Sequence, residues 1–263
     1  LGQRAPALLF GCPRNCVLSF LEQVVELDRR DDKQEPKQGF LLSFSVQEGG
    51  GFLGGSFDYL RLLPEARGYV SFLEDERLTL SAKLRVGSLL PLSGGALDTP
   101  IVARFFSGGN AMRGFSSRRL SPMLLVANAG GGKFESEPLP IGGNGLFETQ
   151  LEARYGLTRR LVGAVFTDWG LVTTERFRVS ALRKNLQLAV GGGLRYRTPA
   201  GPVRLDLAYR PNVGPPLQIY QSEGATPTYQ RSQGCFGFGS GSATSGGSPE
   251  GPCALHLSIG EAF

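Results

Sequence analysis

The sequence contains no long hydrophobic run, although 41% of its 263 residues are hydrophobic. No stretch reaches about 18 consecutive apolar residues, the length that a membrane-spanning helix needs. This excludes a transmembrane helix within the sequence. It leaves open a membrane protein built from strands, because such strands alternate lipid-facing and lumen-facing residues. Their mean hydropathy therefore stays near neutral, and here it is −0.08.

Histidine and cysteine are also scarce. His256 is the only histidine, and no serine beside a glycine forms a nucleophile motif with it, so we expect no enzyme and no cofactor. The four cysteines fall as Cys12/Cys16 and Cys235/Cys253, and neither pair has the spacing and histidine of a metal site. Two disulfide bonds in an oxidising compartment are the favoured interpretation.

Clustered positive charge is absent as well. The net charge is +5, but the arginines recur at every second position of candidate strands, which argues against a nucleic acid partner. The 38 glycines fit turns and loops. No glycine-rich segment lies between a strand and a helix with a following Lys-Ser/Thr, so a phosphate-binding loop is disfavoured.

Strict alternation of apolar and polar residues is the strongest signal present. In the segment 203–210, Leu205 and Leu207 occupy one face while Arg204 and Asp206 occupy the other. Soluble strands average about 5–6 residues, whereas these segments run to about 8–15, long enough to cross a bilayer when tilted. Their charged faces also suit a water-filled lumen better than a packed core. The other candidate strands are 17–29, 40–47, 57–71, 77–86, 145–157, 160–172, 186–197 and 254–263.

Short and long connectors alternate between these nine segments. This asymmetry is typical of outer-membrane barrels, in which the short turns are periplasmic and the long loops lie outside. Both cysteine pairs then fall in outer loops, the last of which includes the Gly/Ser-rich stretch 234–251. The short links are 157–160, 198–202 and 72–76, with 30–38 a longer link on the same side, and the long ones are 88–143, 173–185 and 213–253.

The longest connector contains RFFSGGNAMRGFSSRRLSP at 104–122. A glycine-rich segment followed by Arg113, Gly114 and Phe115 resembles the loop-six signature of the BamA/TamA superfamily of outer-membrane barrel assembly factors and translocators. Met112 stands where that family usually has valine or isoleucine. The resemblance covers nearly the whole chain and extends, in the family's order, to 31–47, 142–157, 161–172 and 191–212.

The resemblance implies an all-β fold, an antiparallel transmembrane β-barrel in the bacterial outer membrane. The chain 1–263 would supply about nine C-terminal strands of a barrel of about sixteen. Loop six, about 88–143, is expected to fold into the lumen, with the last outer loop at about 213–253 and the terminal strand at 254–263. No signal peptide is visible at Leu1, so the sequence is mature or a fragment. We expect the N-terminal strands and POTRA domains in the same or another chain.

In the family, the loop-six arginine pairs with acidic residues of the barrel wall, and alternation identifies two candidates. With Val165 facing outward, Asp168 faces inward, and with Leu151 outward, Glu152 faces inward. We therefore expect Arg113 to form a charge-assisted, bidentate pairing with Asp168 and Glu152. A structural role in holding loop six is favoured over a direct role in passing substrate.

The terminal segment LHLSIGEAF carries Leu257, Ile259 and Phe263 on one face. It resembles the β-signal by which outer-membrane barrels are recognised for assembly, and alternatively Phe263 is an aromatic girdle residue at the membrane interface. His256 faces the lumen by parity and is expected to be a bystander.

The resemblance implies outer-membrane protein assembly or insertion, or polypeptide translocation. The partners would be outer-membrane lipids and unfolded outer-membrane or passenger polypeptides. Two alternatives stay open, namely a two-partner-type secretion pore and a structural, passive barrel.

Overall fold

The computed structural model describes residues 15–73, 76–125, 139–199, 201–211, 219–221, 235 and 251–259. Nine strands form one antiparallel sheet in the order β1-β2-β3-β4-β7-β8-β9-β10-β12. This confirms the all-β expectation, and each of the nine candidate segments contains one of these strands. The terminal strand is described only to Ile259, so its extension to 263 stays a prediction, as does the total of about sixteen strands. The strands are β1 (Phe20–Asp28), β2 (Gly39–Gly49), β3 (Tyr59–Phe72), β4 (Leu78–Pro91), β5 (Met123–Leu125), β6 (Leu139–Pro140), β7 (Gly145–Gly156), β8 (Leu161–Thr173), β9 (Gln187–Thr198), β10 (Gly201–Tyr209), β11 (Ile219–Gln221) and β12 (Cys253–Ile259).

In the described parts of the connectors lie three short strands, one short α-helix and the 3-10 helices Gly51–Leu53 and Ala96–Asp98. Strand β5 pairs antiparallel with β6 and parallel with β11, so loop six and the last outer loop share a small second sheet. Helix α1 (Val179–Asn185) lies between β8 and β9. Within the described part of the chain, no helix is both long and apolar enough to cross a membrane.

The two faces of the nine-stranded sheet differ sharply in chemistry. The outer face exposes large apolar side chains: Phe40, Leu42, Phe44, Leu80, Leu84, Leu151, Tyr155, Val165, Leu194, Tyr196, Leu205, Leu207, Tyr209, Leu255, Leu257 and Ile259. The inner face buries polar and charged side chains: Ser45, Gln47, Ser81, Lys83, Glu148, Gln150, Glu152, Arg154, Asp168, Arg195, Arg204 and Asp206. An apolar exterior around a polar interior is what a lipid-embedded barrel requires.

The links at one end of the strands are short except for 29–38, and three of the four at the other end are long. At one end of the strands lie the links 29–38, 73–77, 157–160 and 199–200. At the other end lie 50–58, 92–144, 174–186 and 210–252. Which end is periplasmic and which is outer stays a prediction from the general pattern of outer-membrane barrels.

The link 29–38 forms an inner strap that reaches across the short-turn end of the sheet. Arg197 of β9 donates from Nε to both carboxylate oxygens of Glu35, at 2.8 and 2.7 Å. Arg154 of β7 donates to the carbonyl oxygen of Pro36 at 3.1 Å, and Lys37 forms an ion pair with Glu76 at 3.0 Å. Because β3, β4, β7 and β8 separate β2 from β9, the strap spans the inner mouth of the lumen.

The described part of loop six enters the lumen from the opposite end. Its base packs into a hydrophobic cluster formed by Phe57, Tyr59, Leu89, Ala103, Phe105, Leu146 and Val172. Its tip forms a second cluster with the wall, made of Met112, Phe115, Leu120 and Ala189. Gly170 of β8 leaves room for this tip, since an added Cβ would lie 2.7 Å from Leu120 Cδ2 and 3.1 Å from Met112 Sδ.

Candidate functional site

Two neighbouring strands place a carboxylate each on the inner wall. Residue parity sets the direction, because Glu152 of β7 and Asp168 of β8 occupy the same face as the other buried polar residues. In the ladder between the strands, Gln150 is the direct partner of Asp168, and Glu152 is the partner of Phe166. Asp168 and Glu152 are 0% and 4% exposed, so each needs a compensating partner.

Arg113 of loop six supplies that partner. Its backbone N–H and its Nε donate to Asp168 Oδ2 at 3.0 and 2.9 Å. Its Nη2 donates to Asp168 Oδ1 at 2.7 Å, and its Nη1 donates to Glu152 Oε2. The side chain is 1% exposed, and this planar fork of donors matches two carboxylates in a way that a lysine ammonium does not.

The aromatic ring of Phe166 also contacts the guanidinium of Arg113. The guanidinium carbon lies 3.5 Å from the centroid of the Phe166 ring, in a cation–π arrangement. Burial by itself lowers the pKa of Arg113, but the hydrogen bonds to Asp168 and the negative charges of Asp168 and Glu152 outweigh it and raise the pKa above its ordinary value. Arg113 therefore stays charged at every physiological pH.

The rest of the tripeptide is equally constrained. Gly114 has φ +102°, and an added Cβ would lie 2.8 Å from Ala189 Cβ, so this position requires glycine. Its N–H donates to His256 Nε2 at 3.3 Å. Phe115 is buried, and the guanidinium carbon of Arg210 lies 4.4 Å from its ring centroid.

Three wall residues join the site beyond the two that the sequence singled out. Arg195 donates to Glu152 Oε2 at 3.0 Å and forms an ion pair with Asp206. Arg204 lies 3.6 Å from Glu152 Oε2 and 3.4 Å from Asp206 Oδ2, and Arg113 Nη1 lies 3.6 Å from Asp206. Parity already places these residues on the inner face, and that was the available signal.

Further contacts hold the backbone of loop six. Gln150 donates from Nε2 to the carbonyl oxygens of Asn110 and Ala111, at 2.9 and 3.0 Å. At the base of the loop, buried Arg104 donates from Nη2 to the Thr99 carbonyl oxygen at 2.8 Å and from Nη1 to that of Ile141 at 3.2 Å. The loop is therefore anchored at its tip and at its base.

The remaining residues named from the sequence lie away from Arg113. Leu257 and Ile259 are exposed on the outer face of β12, whereas Phe263 lies outside the described residues. Cys235 and Cys253 form a disulfide bond with a Cα–Cα distance of 5.0 Å. Cys16 is also disulfide-bonded, but Cys12 and most of the stretch 234–251 lie outside the described residues, so the Cys12–Cys16 pairing stays a prediction.

Comparison with known proteins identifies the family of this barrel with its inward-folded loop. Residues 14–252 match the model of the Omp85 superfamily domain. The chain belongs to the Omp85 superfamily. It is accordingly part of an integral barrel of the bacterial outer membrane, as the resemblance to the BamA/TamA group implied.

Relatives and solved structures agree with this membership. The chain is 30% identical over 202 residues to the outer membrane protein assembly factor BamA of Neorickettsia risticii, covering 73% of this chain and 24% of that protein. It is 31% identical over 96 residues to BamA of Nitratidesulfovibrio vulgaris, covering 36% of this chain and 12% of the relative. The chain thus spans about a quarter or less of the length of these relatives.

The fold is similar to that of a solved barrel. The crystal structure of BamA from Haemophilus ducreyi lacking POTRA domains 1-3 matches with a TM-score of 0.60 and 16% identity. The match covers 77% of this chain and 40% of the other. At this identity the likeness supports the fold, and function is argued separately below.

Proposed function

We propose that the barrel containing this chain inserts and assembles outer-membrane proteins or translocates their polypeptide segments, without covalent chemistry and without a cofactor. The observation that carries the proposal is the lock between Arg113 of loop six and the carboxylates of Asp168 and Glu152. Two carboxylates bound to one buried arginine hold loop six at a defined position on the barrel wall, and setting a unique arrangement is a role that buried ion pairs have in some proteins. This arrangement supports a barrel whose function depends on the position of that loop.

Strand β12 supplies the working surface in this proposal. It pairs with β10 on one side, and among the described residues no strand pairs with its other side. A strand edge with unpaired N–H and C=O groups templates an incoming strand by β-augmentation. Apolar Leu255, Leu257 and Ile259 face the lipid along this strand, where a locally thinned bilayer lowers the barrier to insertion.

The proposal requires strands and domains beyond these 263 residues, in the same or another chain. Within the described residues β1 pairs only with β2, so its outer edge is the place where the N-terminal strands of the barrel would continue the sheet. POTRA domains would present unfolded outer-membrane or passenger polypeptides at the inner mouth. Outer-membrane lipids contact the apolar exterior.

Complementation in a strain depleted of the native protein tests this function. We expect Arg113→Ala and deletion of 104–122 to reduce assembly of outer-membrane proteins, because the first releases the tip of loop six and the second removes it. Arg118→Ala is the matched control, since Arg118 lies in the same loop but is exposed. Normal assembly after deletion of 104–122 would refute the proposal. Normal assembly combined with loss of one secreted passenger would instead assign a secretion pore, the alternative that the loop-six motif also allows.

A further inference from the structure

The terminal strand touches loop six directly. His256 of β12 lies on the inner face, directly across the ladder from Asp206 of β10. Its Nε2 accepts the N–H of Gly114 at 3.3 Å. The side chain of His256 therefore reaches the middle residue of the loop-six tripeptide, a contact that the sequence did not predict.

A second contact leads from the same tripeptide to the start of β12. Arg210, which directly follows β10, lies with its guanidinium carbon 4.4 Å from the ring centroid of Phe115. The same guanidinium donates from Nη2 to the carbonyl oxygen of Gly251. The backbone N–H of Arg210 donates to the carbonyl oxygen of Pro252 at 2.8 Å. Phe115, Arg210 and the two residues that precede β12 thus form one continuous chain of contacts.

The tripeptide as a whole therefore contacts both of the last two strands and the residue that directly follows β10. Arg113 lies 3.6 Å from Asp206 of β10, Gly114 donates to His256 of β12, and Phe115 packs under Arg210. The lock with Asp168 and Glu152 fixes the loop to the middle of the sheet. The contacts described here join it to the end of the sheet.

We propose that His256 and Arg210 are positioning residues that fix the register and the placement of the terminal strand against loop six. A neutral imidazole has one donor and one acceptor nitrogen, and with Nε2 accepting, the proton resides on Nδ1. When loop six is in place, Gly114 and Phe115 add to the backbone ladder that joins β12 to β10. When the loop moves, both contacts are lost together and only that ladder holds β12. The coupling is a property of the barrel itself, and only its use in assembly rests on the proposed function.

The neighbouring residue Ser258 provides a matched control. It lies on the same face of β12, two residues further along, opposite Arg204 in the ladder. Among the described residues, no side-chain hydrogen bond joins it to loop six. Ser258→Ala therefore perturbs the same strand and the same face without touching the proposed contact.

Amide hydrogen exchange of the full-length native protein in lipid nanodiscs tests the coupling. His256→Leu removes the acceptor, whereas His256→Gln retains one at similar reach. For His256→Leu we expect exchange to accelerate by roughly 5- to 10-fold in peptides covering both 107–120 and 253–259, the loss of one hydrogen bond. His256→Gln should restore slow exchange in both segments, and Ser258→Ala should leave it unchanged.

Arg210→Gln tests the second contact independently and should accelerate exchange in the same two segments. Peptides from 161–173 serve as the internal measure of an intact barrel and should not change in any variant. The coupling is overturned if His256→Leu affects 253–259 but leaves 107–120 at the parent rate, or if His256→Gln behaves like His256→Leu. Assembly in the depleted strain is measured in parallel. Suppose that His256→Leu accelerates exchange in both segments and assembly stays normal. The positioning role of His256 would then stand, and only its importance for the proposed function would be rejected.

Discussion

Neutralising Asp168 should strongly increase the population of molecules in which loop six has left the barrel wall. Asp168 accepts three hydrogen bonds from Arg113, two from the guanidinium and one from the backbone N–H. Asp168→Asn keeps one acceptor oxygen, removes the charge and turns an amide donor toward the guanidinium. Breaking a buried ion pair by removing one partner costs about 3–5 kcal/mol. Because Glu152 still binds Arg113, we expect the lower end, about 3 kcal/mol, which raises the open population roughly 150-fold.

A cysteine placed at a buried position of loop six reports the open population as a labelling rate. Met112 is 0% exposed at the tip of loop six, and none of the described cysteines is free. In the full-length protein with Met112→Cys, maleimide labelling proceeds only when the loop opens, so its rate follows the open population. Labelling should be about 150-fold faster after Asp168→Asn. Thr167→Ala, one residue away on the outer face, should label at the parent rate.

Two results would refute this reasoning. A change of less than about 5-fold would correspond to less than 1 kcal/mol and would mean that apolar packing, not the ion pair, holds the loop. Equal acceleration by Thr167→Ala and Asp168→Asn would mean that β8 itself had been loosened. In either case the ion pair between Arg113 and Asp168 would no longer support the proposed function.

Other substitutions test neighbouring features. Arg113→Lys keeps the charge but lacks the fork, so labelling at position 112 should accelerate, though less than with Arg113→Ala. Gly170→Val should lower the thermal unfolding midpoint, because overpacking against Met112 costs about 1–3 kcal/mol; Gly68→Val, where an added Cβ meets no atom within 4 Å, is its control. Glu35→Gln should raise the conductance of the barrel in planar bilayers by loosening the inner strap, and unchanged conductance would contradict a strap that closes the mouth.

The faces of the strands were predictable because a strand has a side-chain period of two. Leu205 and Leu207 had to share the face opposite Arg204 and Asp206 whatever the neighbouring strands were. The alternation of short and long links followed in the same way from the positions of the nine segments. Helix α1 escaped prediction because seven residues are too few to show a helical period.

Residue parity gives the face of each strand residue but could not predict which residues meet across the lumen. Asp206 reaches Arg113 because Gly193 on the intervening strand β9 has no side chain, and an added Cβ there would overlap Asp206 Oδ1. The pairing of Glu35 with Arg197 joins residues 162 positions apart and depends on how the sheet curves. Register and curvature arise from all nine strands together, and no single segment encodes them.

Replacing both Arg113 and Asp168 distinguishes their effect on the stability of the barrel from their effect on the position of loop six. The double variant Arg113→Leu with Asp168→Leu removes both buried charges at once. A buried ion pair exchanged for apolar residues is often neutral or stabilising, so the free energy of unfolding should stay within about 1 kcal/mol of the parent, whereas Asp168→Leu alone should lose about 3–5 kcal/mol.

Assembly should nevertheless fall with the double variant, because leucines lack the directional fork that sets Gly114 against His256. Denaturant unfolding and complementation of the depleted strain measure the two quantities separately. Full assembly activity in a stable double variant would show that apolar contacts alone place the loop. Loss of assembly at unchanged stability would show that the buried charges position loop six rather than merely hold the barrel together.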